Sequence, residues 1–372
     1  MENTYKYERL HSLDALRGFD MFWIMGGSVI FIELGKLTGW PILEWWSEQL
    51  NHVEWHGFHF YDMIFPLFLF LAGVSFPFSL AKRLVMNNSH KTAYSHIVKR
   101  GLILVIFGIL YNNGVSFNFS EMRYGSVLGH IGLAWMFAAL IFMNTSFIYR
   151  IIWFWALLIG YWLLLLFFPA PDLFSTDPFS LEGNLPGYLD RLLSPGTLYL
   201  GVFDPSGFFT TPPSIGTALL GMLTGEFVLS KRLHNTPLRK FFYMVFIAGL
   251  LLIIGKVWNT NFPINKMLWS SSFVCWAGGL SLLFFAVFYL AIDIWKFKNW
   301  AFPFRVIGMN PLTIYLALRI VNAKSASRFF FEGINSILPE SWNGIIINGI
   351  GVATVSWIFL FILYKKKIFL KI

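Results

Sequence analysis

Residues 60–83 read FYDMIFPLFLFLAGVSFPFSLAKR. Between Asp62 and Lys82 no charged side chain interrupts the run, which is about the ~20 residues that a helix needs to cross a bilayer. It is apolar on every face and closes on a Lys-Arg pair, so it reads as a membrane span with its basic end at the inner surface.

Working outward from this run, similar stretches lie near 18–36, 101–116, 125–144, 151–168, 213–230, 241–258, 267–292, 306–323 and 345–364. With 60–81 they predict about ten transmembrane helices. The span at 306–323 contains Pro311 and Arg319. Composition agrees. Hydrophobic residues make up 56% of the 372 and charged residues only 13%, against roughly 25% charged in soluble domains. Mean hydropathy is +0.62, and aromatics reach 19%. No polar linker divides the chain, so the expectation is an all-α, polytopic protein with residues 1–372 forming one membrane domain.

The formal charge of +9 does not point to nucleic acid, because the basic residues sit in short clusters between spans. Placing both termini in the cytoplasm puts the larger share of them inside. These are Lys6, Arg9, Arg17, Lys82, Arg83, Lys91, Lys99, Arg100, Arg150, Lys231, Arg232, Arg239, Lys240, Lys296, Lys298, Arg305, Lys365, Lys366, Lys367 and Lys371. That is the positive-inside pattern. The lone Cys275 leaves no intramolecular disulfide. No signal-peptide core, P-loop, GxSxG or CxxC motif occurs.

Ionisable residues in or beside spans are costly and are functional candidates. The first set is Ser12, Asp14, Arg17 and Asp20 in SLDALRGFD. Asp14 and Arg17 are three apart and can pair on one helix face, with Ser12 as N-cap. Arg17 could instead meet a phosphate-bearing ligand. The second set is His52, Glu54, His56, His59 and Asp62. On a helix, His52, His56 and His59 would share a face suited to a metal, though Gly57 weakens a helix there. Without Cys or HExxH, a catalytic His with nearby carboxylates is the favoured reading. His130 falls inside the fourth span, as a hydrogen-bonded core residue. Asn310, Tyr315 and Arg319 lie in GMNPLTIYLALR, where Pro311 is placed to kink the helix and free backbone groups. The segment 37–59 reads as partly interfacial helix.

Taken together, these motifs resemble the heparan-α-glucosaminide N-acetyltransferase family, in particular its bacterial members. SLDALRG at 12–18 looks like the family's opening motif, and residues 52–79 look like its His-containing segment with the second helix. RYGSVLGHIGLAW at 123–135, GYLDRLL at 187–193, residues 203–226, PINKMLWSSSFV at 263–274 and GMNPLTIY at 308–315 follow in family order. Where the family usually has Gln-Arg in its fourth-helix motif, this chain has Gly129-His130. The large luminal N-terminal region of the animal enzymes is expected to be absent.

The resemblance implies acetyl transfer from cytoplasmic acetyl-CoA to an amino sugar across the membrane. It puts the family's catalytic His on His52, and Asp62 matches the family's motif. The expected catalytic set is His52 with Glu54 or Asp62 orienting its ring. The expected CoA-binding set is Asp14, Arg17, Lys82, Arg83, Lys99 and Arg100. The expected acceptor-binding set is His56, Asp190, Asp204, Lys266 and Asn310, within an acidic outer face that includes Glu44, Glu48, Asp172, Asp177 and Glu182. No metal is expected. The expected setting is a bacterial inner membrane, with an amino sugar or envelope glycan as acceptor and room for a homodimer. An envelope-glycan O-acyltransferase and a transporter or flippase are the alternative readings.

Overall fold

A computed structural model describes residues 10–85, 90–115, 118–172, 175, 177–230 and 236–370. Lys6, Arg9, Lys231, Arg232 and Lys371 lie outside the described residues, as does the Arg83 side chain. Among the described residues all regular structure is helical.

In chain order, α1 (His11–Phe22) runs through a π-turn at Trp23–Gly27 into α2 (Ser28–Thr38), followed by α3 (Pro41–Gln49). A 3-10 turn at Phe60–Met63 leads into α4 (Ile64–Val85). Next come α5 (His90–Asn113), α6 (Val127–Asn144), α7 (Phe147–Phe167), α8 (Leu185–Leu193), α9 (Thr211–Leu229), α10 (Pro237–Trp258) and α11 (Ser271–Phe288). The chain closes with α12 (Phe302–Gly308), α13 (Pro311–Ile320), α14 (Ala323–Asn335), a π-turn at Gly344–Gly351 and α15 (Val352–Lys365).

Among the described residues, eight helical stretches are long and apolar enough to cross a membrane: His11–Thr38, Phe60–Lys82, His90–Asn113, Val127–Asn144, Phe147–Phe167, Pro237–Trp258, Ser271–Ile294 and Glu340–Lys365. The protein is a multi-pass membrane protein. Helix α9 covers the predicted 213–230 segment; it is richer in Thr, Gly and Pro, and most of its residues are buried. The predicted span at 306–323 is not one helix. It breaks into α12 and α13 at Met309-Asn310, where Asn310 takes φ −134° and ψ 47°. Pro311 is the cause: it disfavours helical backbone in the residue before it and opens the next helix at its first turn.

The chain divides into two compact units. Among the described residues, the first comprises those within 54–58 and 65–283, and the second those within 10–53, 59–64 and 284–370. In the first unit α9 crosses α4 through Gly221 and Gly225, spaced as in GxxxG. A Cβ on Gly221 would lie 2.1 Å from the Phe70 carbonyl oxygen, and one on Gly225 would lie 2.3 Å from that of Val74. Small residues are what let helices approach this closely where lipid supplies no hydrophobic drive. In the second unit α1 and α12 cross the same way, Gly18 against the Phe304 carbonyl and Gly308 against that of Asp14. Gly18, which closes SLDALRG, therefore serves packing.

Candidate active site

The chain from Leu50 to His59 is not helical. Gly57 takes φ +122°, a value that L side chains rarely adopt, and the helix on which His52, His56 and His59 would have shared a face does not form. Instead each histidine has its own setting. His59 Nδ1 lies 3.0 Å from the Asn51 carbonyl oxygen. His56 Nδ1 lies 3.2 Å from Asn265 Nδ2, so it accepts from that amide and presents Nε2 as the donor. Burial holds the His56 pKa below the ordinary imidazole value, with Asp177 opposing, which suits an accepting ring. The segment 54–58 is fastened to the rest of its unit by the Trp55 indole N–H on the Phe179 carbonyl (2.9 Å) and by the Gly57 N–H on that of Ile264 (2.8 Å).

His52 lies in the second unit. Its Nδ1 is 2.7 Å from Asp62 Oδ1, in a pair where His52 is 45% exposed and Asp62 1% exposed. The carboxylate is pinned from behind: Asp62 Oδ2 accepts the backbone N–H of His59 at 3.0 Å and of Val53 at 3.5 Å. Asp62 is the third residue of the 3-10 turn Phe60–Met63 that starts the second span, so the span itself aims the acid. The Tyr61 ring lies 4.9 Å from the imidazole, tilted by 48°. This geometry fixes one tautomer: a neutral His52 donates Nδ1–H to Asp62, which makes Nε2 the basic nitrogen of the ring. Of the two carboxylates expected to orient the ring, Asp62 makes the contact. Glu54 belongs to the other unit and is exposed.

In the first unit the structure joins Asp190 and Asp204 and adds a residue that the sequence reading passed over. Arg123 grips Asp204 with both arms of its fork, Nε to Oδ2 and Nη2 to Oδ1, each at 2.7 Å. Its guanidinium lies 4.4 Å over the Tyr199 ring. Asp204 is 2% and Asp190 4% exposed, and Asp190 Oδ2 accepts the Asp204 N–H at 3.3 Å. Burial, with the Asp204 charge beside it, pushes the Asp190 carboxyl up to about 7. Gly125 and Gly207 leave the room these carboxylates occupy: a Cβ on either would come within 2.6 Å of a carboxylate atom. Arg123 heads the motif RYGSVLGHIGLAW, and that was the available signal. His130, seven residues on, is 1% exposed and packs on Trp269 (5.0 Å) and Phe65 (5.5 Å).

The remaining expected residues scatter. Asp14 and Arg17 pair at 3.8 Å, as their spacing suggested. Ser12 does not cap α1; the Asp293 carboxylate does, accepting the N–H groups of His11 and Ser12 at 3.3 and 3.2 Å. Lys82 is exposed near the end of α4. Lys99 and Arg100 lie well inside α5, which begins at His90, and Arg100 stacks 4.4 Å over Trp135. Lys266 is half-buried. Asn310 is 2% exposed, and it holds the C-terminal segment: Nδ2 donates to the Ile368 carbonyl at 2.9 Å, and Oδ1 accepts the Leu370 N–H at 3.2 Å.

Residues 9–147 match the family model described as Domain of unknown function (DUF5009). Over 98% of its length the chain is 26% identical to heparan-alpha-glucosaminide N-acetyltransferase of Mus musculus, and equally so to that of Homo sapiens. This chain is similar to the heparan-alpha-glucosaminide N-acetyltransferases. The resemblance carried by the ordered motifs thus extends across the whole chain, which spans about 60% of the length of each of these relatives.

Proposed function

We propose that this protein is a transmembrane N-acetyltransferase that moves the acetyl group of cytoplasmic acetyl-CoA to the amine of a glucosamine-type sugar on the far side. The observation that carries the reading is the His52–Asp62 pair, a half-exposed imidazole held by a buried carboxylate at 2.7 Å. An amino sugar is mostly an ammonium ion near neutral pH and must lose a proton before it can attack a thioester. Nε2 of His52 takes that proton, and Asp62 stabilises the imidazolium that forms. The same lone pair could instead receive the acetyl group and pass it on in a second step. The names of the relatives support the donor and the acceptor class.

On the cytoplasmic side, Asp14, Arg17, Lys82, Arg83, Lys99 and Arg100 are the residues we assign to CoA, whose phosphates suit guanidinium and ammonium donors. For the acceptor we assign His56 and Lys266 as contacts, with Asp190 and Asp204 acting through the buried cluster they form with Arg123. Asn310 acts through the fold. Both termini face the cytoplasm of a bacterial inner membrane in this reading, supported by the basic clusters at Lys82 and Lys365–Lys367.

The test uses purified protein with labelled acetyl-CoA and a panel of amino and neutral sugars. Label in an N-acetyl sugar is the expected result. Label in an ester would reassign the acceptor to a hydroxyl, and no transfer to any acceptor would favour transport. Oriented vesicles then test sidedness: CoA is expected on the face bearing Lys365–Lys367, and acetylated sugar on the other.

A further inference from the structure

Helix α14 (Ala323–Asn335) has no part in the chemistry assigned above, and it is three-sided. Residues four apart lie on one face of a helix. Ala323, Ser327 and Phe331 form the packed side, with Ser327 fully buried. Lys324, Arg328 and Glu332 form a charged stripe beside it, all three exposed, with Arg328 and Glu332 3.5 Å apart. Ala326 and Phe330 make the third side, which is apolar and on which the Phe330 ring is exposed.

The packed side fixes how deep the stripe lies. Ser327 Oγ donates to the Ile347 carbonyl at 2.6 Å. Gly351 leaves the room it occupies, since a Cβ there would lie 1.9 Å from Ser327 Oγ. Ile347 and Gly351 belong to the last spanning stretch, Glu340–Lys365, seven and eleven residues past its start. At about 1.5 Å per residue that is roughly 10–16 Å below the Glu340 end. The stretch has 26 residues and is about 39 Å long against a ~30 Å hydrocarbon core, so each end overhangs by only ~5 Å and Ser327 sits within the core.

Residues 336–339 alone join α14 to that stretch, and α14 packs on both its π-turn and α15. The two therefore run antiparallel, with the N-terminal end of α14 the deeper one. Arg328 lies level with Ser327, and Lys324 lies about 4–5 Å deeper. Helix side chains lean toward the N-terminus, which here points to the membrane middle, so neither cation leans toward the near surface.

Charged side chains at this depth are costly against lipid and face protein or a water-filled cavity. The Arg328 side chain is 66% exposed, so protein does not seal it. We propose that Lys324, Arg328 and Glu332 line a water-filled recess that enters the membrane from the Glu340 end, opposite the Lys365–Lys367 tail, and admits the amino-sugar acceptor. The recess follows from the depth of the stripe. The choice of solute rests on the acetyl-transfer reading: a sugar is too polar to approach through lipid, Glu332 suits its ammonium, and Lys324 and Arg328 can donate to its hydroxyls.

The test uses Lys324→Cys, Arg328→Cys, Glu332→Cys and Phe330→Cys, each in a Cys275→Ala background. Sealed vesicles are oriented with the Lys365–Lys367 tail inside and treated from outside with a membrane-impermeant, cationic methanethiosulfonate. Thermal unfolding midpoints serve as the folding control. Phe330 is 69% exposed, the same as Arg328 within a few per cent, so exposure alone predicts equal rates. The expected result is labelling of Arg328→Cys and Lys324→Cys at least ten-fold faster than of Phe330→Cys, slowed at least three-fold by saturating glucosamine. Equal rates at Arg328→Cys and Phe330→Cys, or labelling only from the tail side, would overturn the recess. Protection of all four sites, the mark of a second copy packed on this helix, would overturn it too. Fast labelling that no amino sugar slows would overturn the choice of solute. A wild type that transfers no acetyl group to any amine would remove the acetyl-transfer reading and the solute with it, while the labelling contrast would still support the recess. Should Lys324→Cys fail to fold, Arg328→Cys and Glu332→Cys make the same comparison.

Discussion

The two units each hold a carboxylate against a basic side chain at 2.7 Å, Asp62 on His52 and Asp204 on Arg123. The distances are equal and the surroundings are not. The His52 ring is 45% exposed, with Nδ1 committed to Asp62. Arg123 commits two donors to Asp204, which is sealed, and Asp190 is packed in beside it. A pair whose imidazole is half-exposed can meet a substrate. A bidentate pair with both oxygens engaged holds structure. Distance alone separates neither from the other; access to the basic group does.

The largest expected effect follows from the open pair. His52→Ala should lower acetyl transfer by about 10²–10⁴-fold, the range for a lost general base, with the thermal midpoint nearly unchanged. A folded, fully active His52→Ala enzyme would place the chemistry elsewhere and dissolve the contrast. Arg123→Ala should do the reverse. It strands Asp204 in the interior, at a cost of about 3–5 kcal/mol for a buried pair broken on one side. Size-exclusion profiles and unfolding midpoints measure this. A stable Arg123→Ala protein with a raised acceptor KM would turn the brace into a binding site.

Asp190 sharpens the comparison through pH. Its folded pKa of about 7 lies above the ordinary carboxylate value of 3.8. Between those two values the folded protein holds a proton that the unfolded chain has released. The stability contributed by the protonated acid is therefore full below pH ~4 and is lost as pH rises toward 7, by at most about 4 kcal/mol. Asp190→Asn should lose less thermal stability than wild type between pH 5 and pH 8. Parallel pH curves for the two proteins would show that Asp190 shares its neighbours' charge in a way that burial does not describe.

Much of the fold was legible because hydrocarbon imposes a simple code. A run such as 63–81 has little option but to be a helix across a bilayer. The code fails where backbone chemistry intervenes. Pro311 splits 306–323, and Gly57 keeps the His52–His59 segment from coiling. It also misplaces edges: hydropathy opens the third span at 101, whereas the helix begins at His90, because helical hydrogen bonds do not require apolar side chains. The site was half legible. Asp62 sits ten residues from His52 and was one of two carboxylates on offer. Arg123 finds Asp204 across 81 positions, and no spacing rule reaches that far. Asp190 and Asp204 were grouped by charge as acceptor contacts, since burial is invisible in a list of acidic residues.

Asn310 gives the smallest effect and bears on the same distinction. Polar, next to Pro311 and inside an apolar run, it looked like a binding residue. Its amide instead closes on the backbone of Ile368 and Leu370, where the C-terminal segment returns to the break between α12 and α13. Two neutral hydrogen bonds of this kind contribute about 1–3 kcal/mol together when lost from a buried donor and acceptor. Asn310→Ala should therefore loosen the tail, read as faster amide exchange at Ile368 and Leu370 with a small fall in the unfolding midpoint. Acceptor KM should not move. Asn310→Asp keeps the acceptor for the Leu370 N–H and loses the donor to Ile368, so exchange at Leu370 should stay slow. If Asn310→Ala instead raised KM with exchange at the tail unaltered, Asn310 would belong with the open, reactive groups after all.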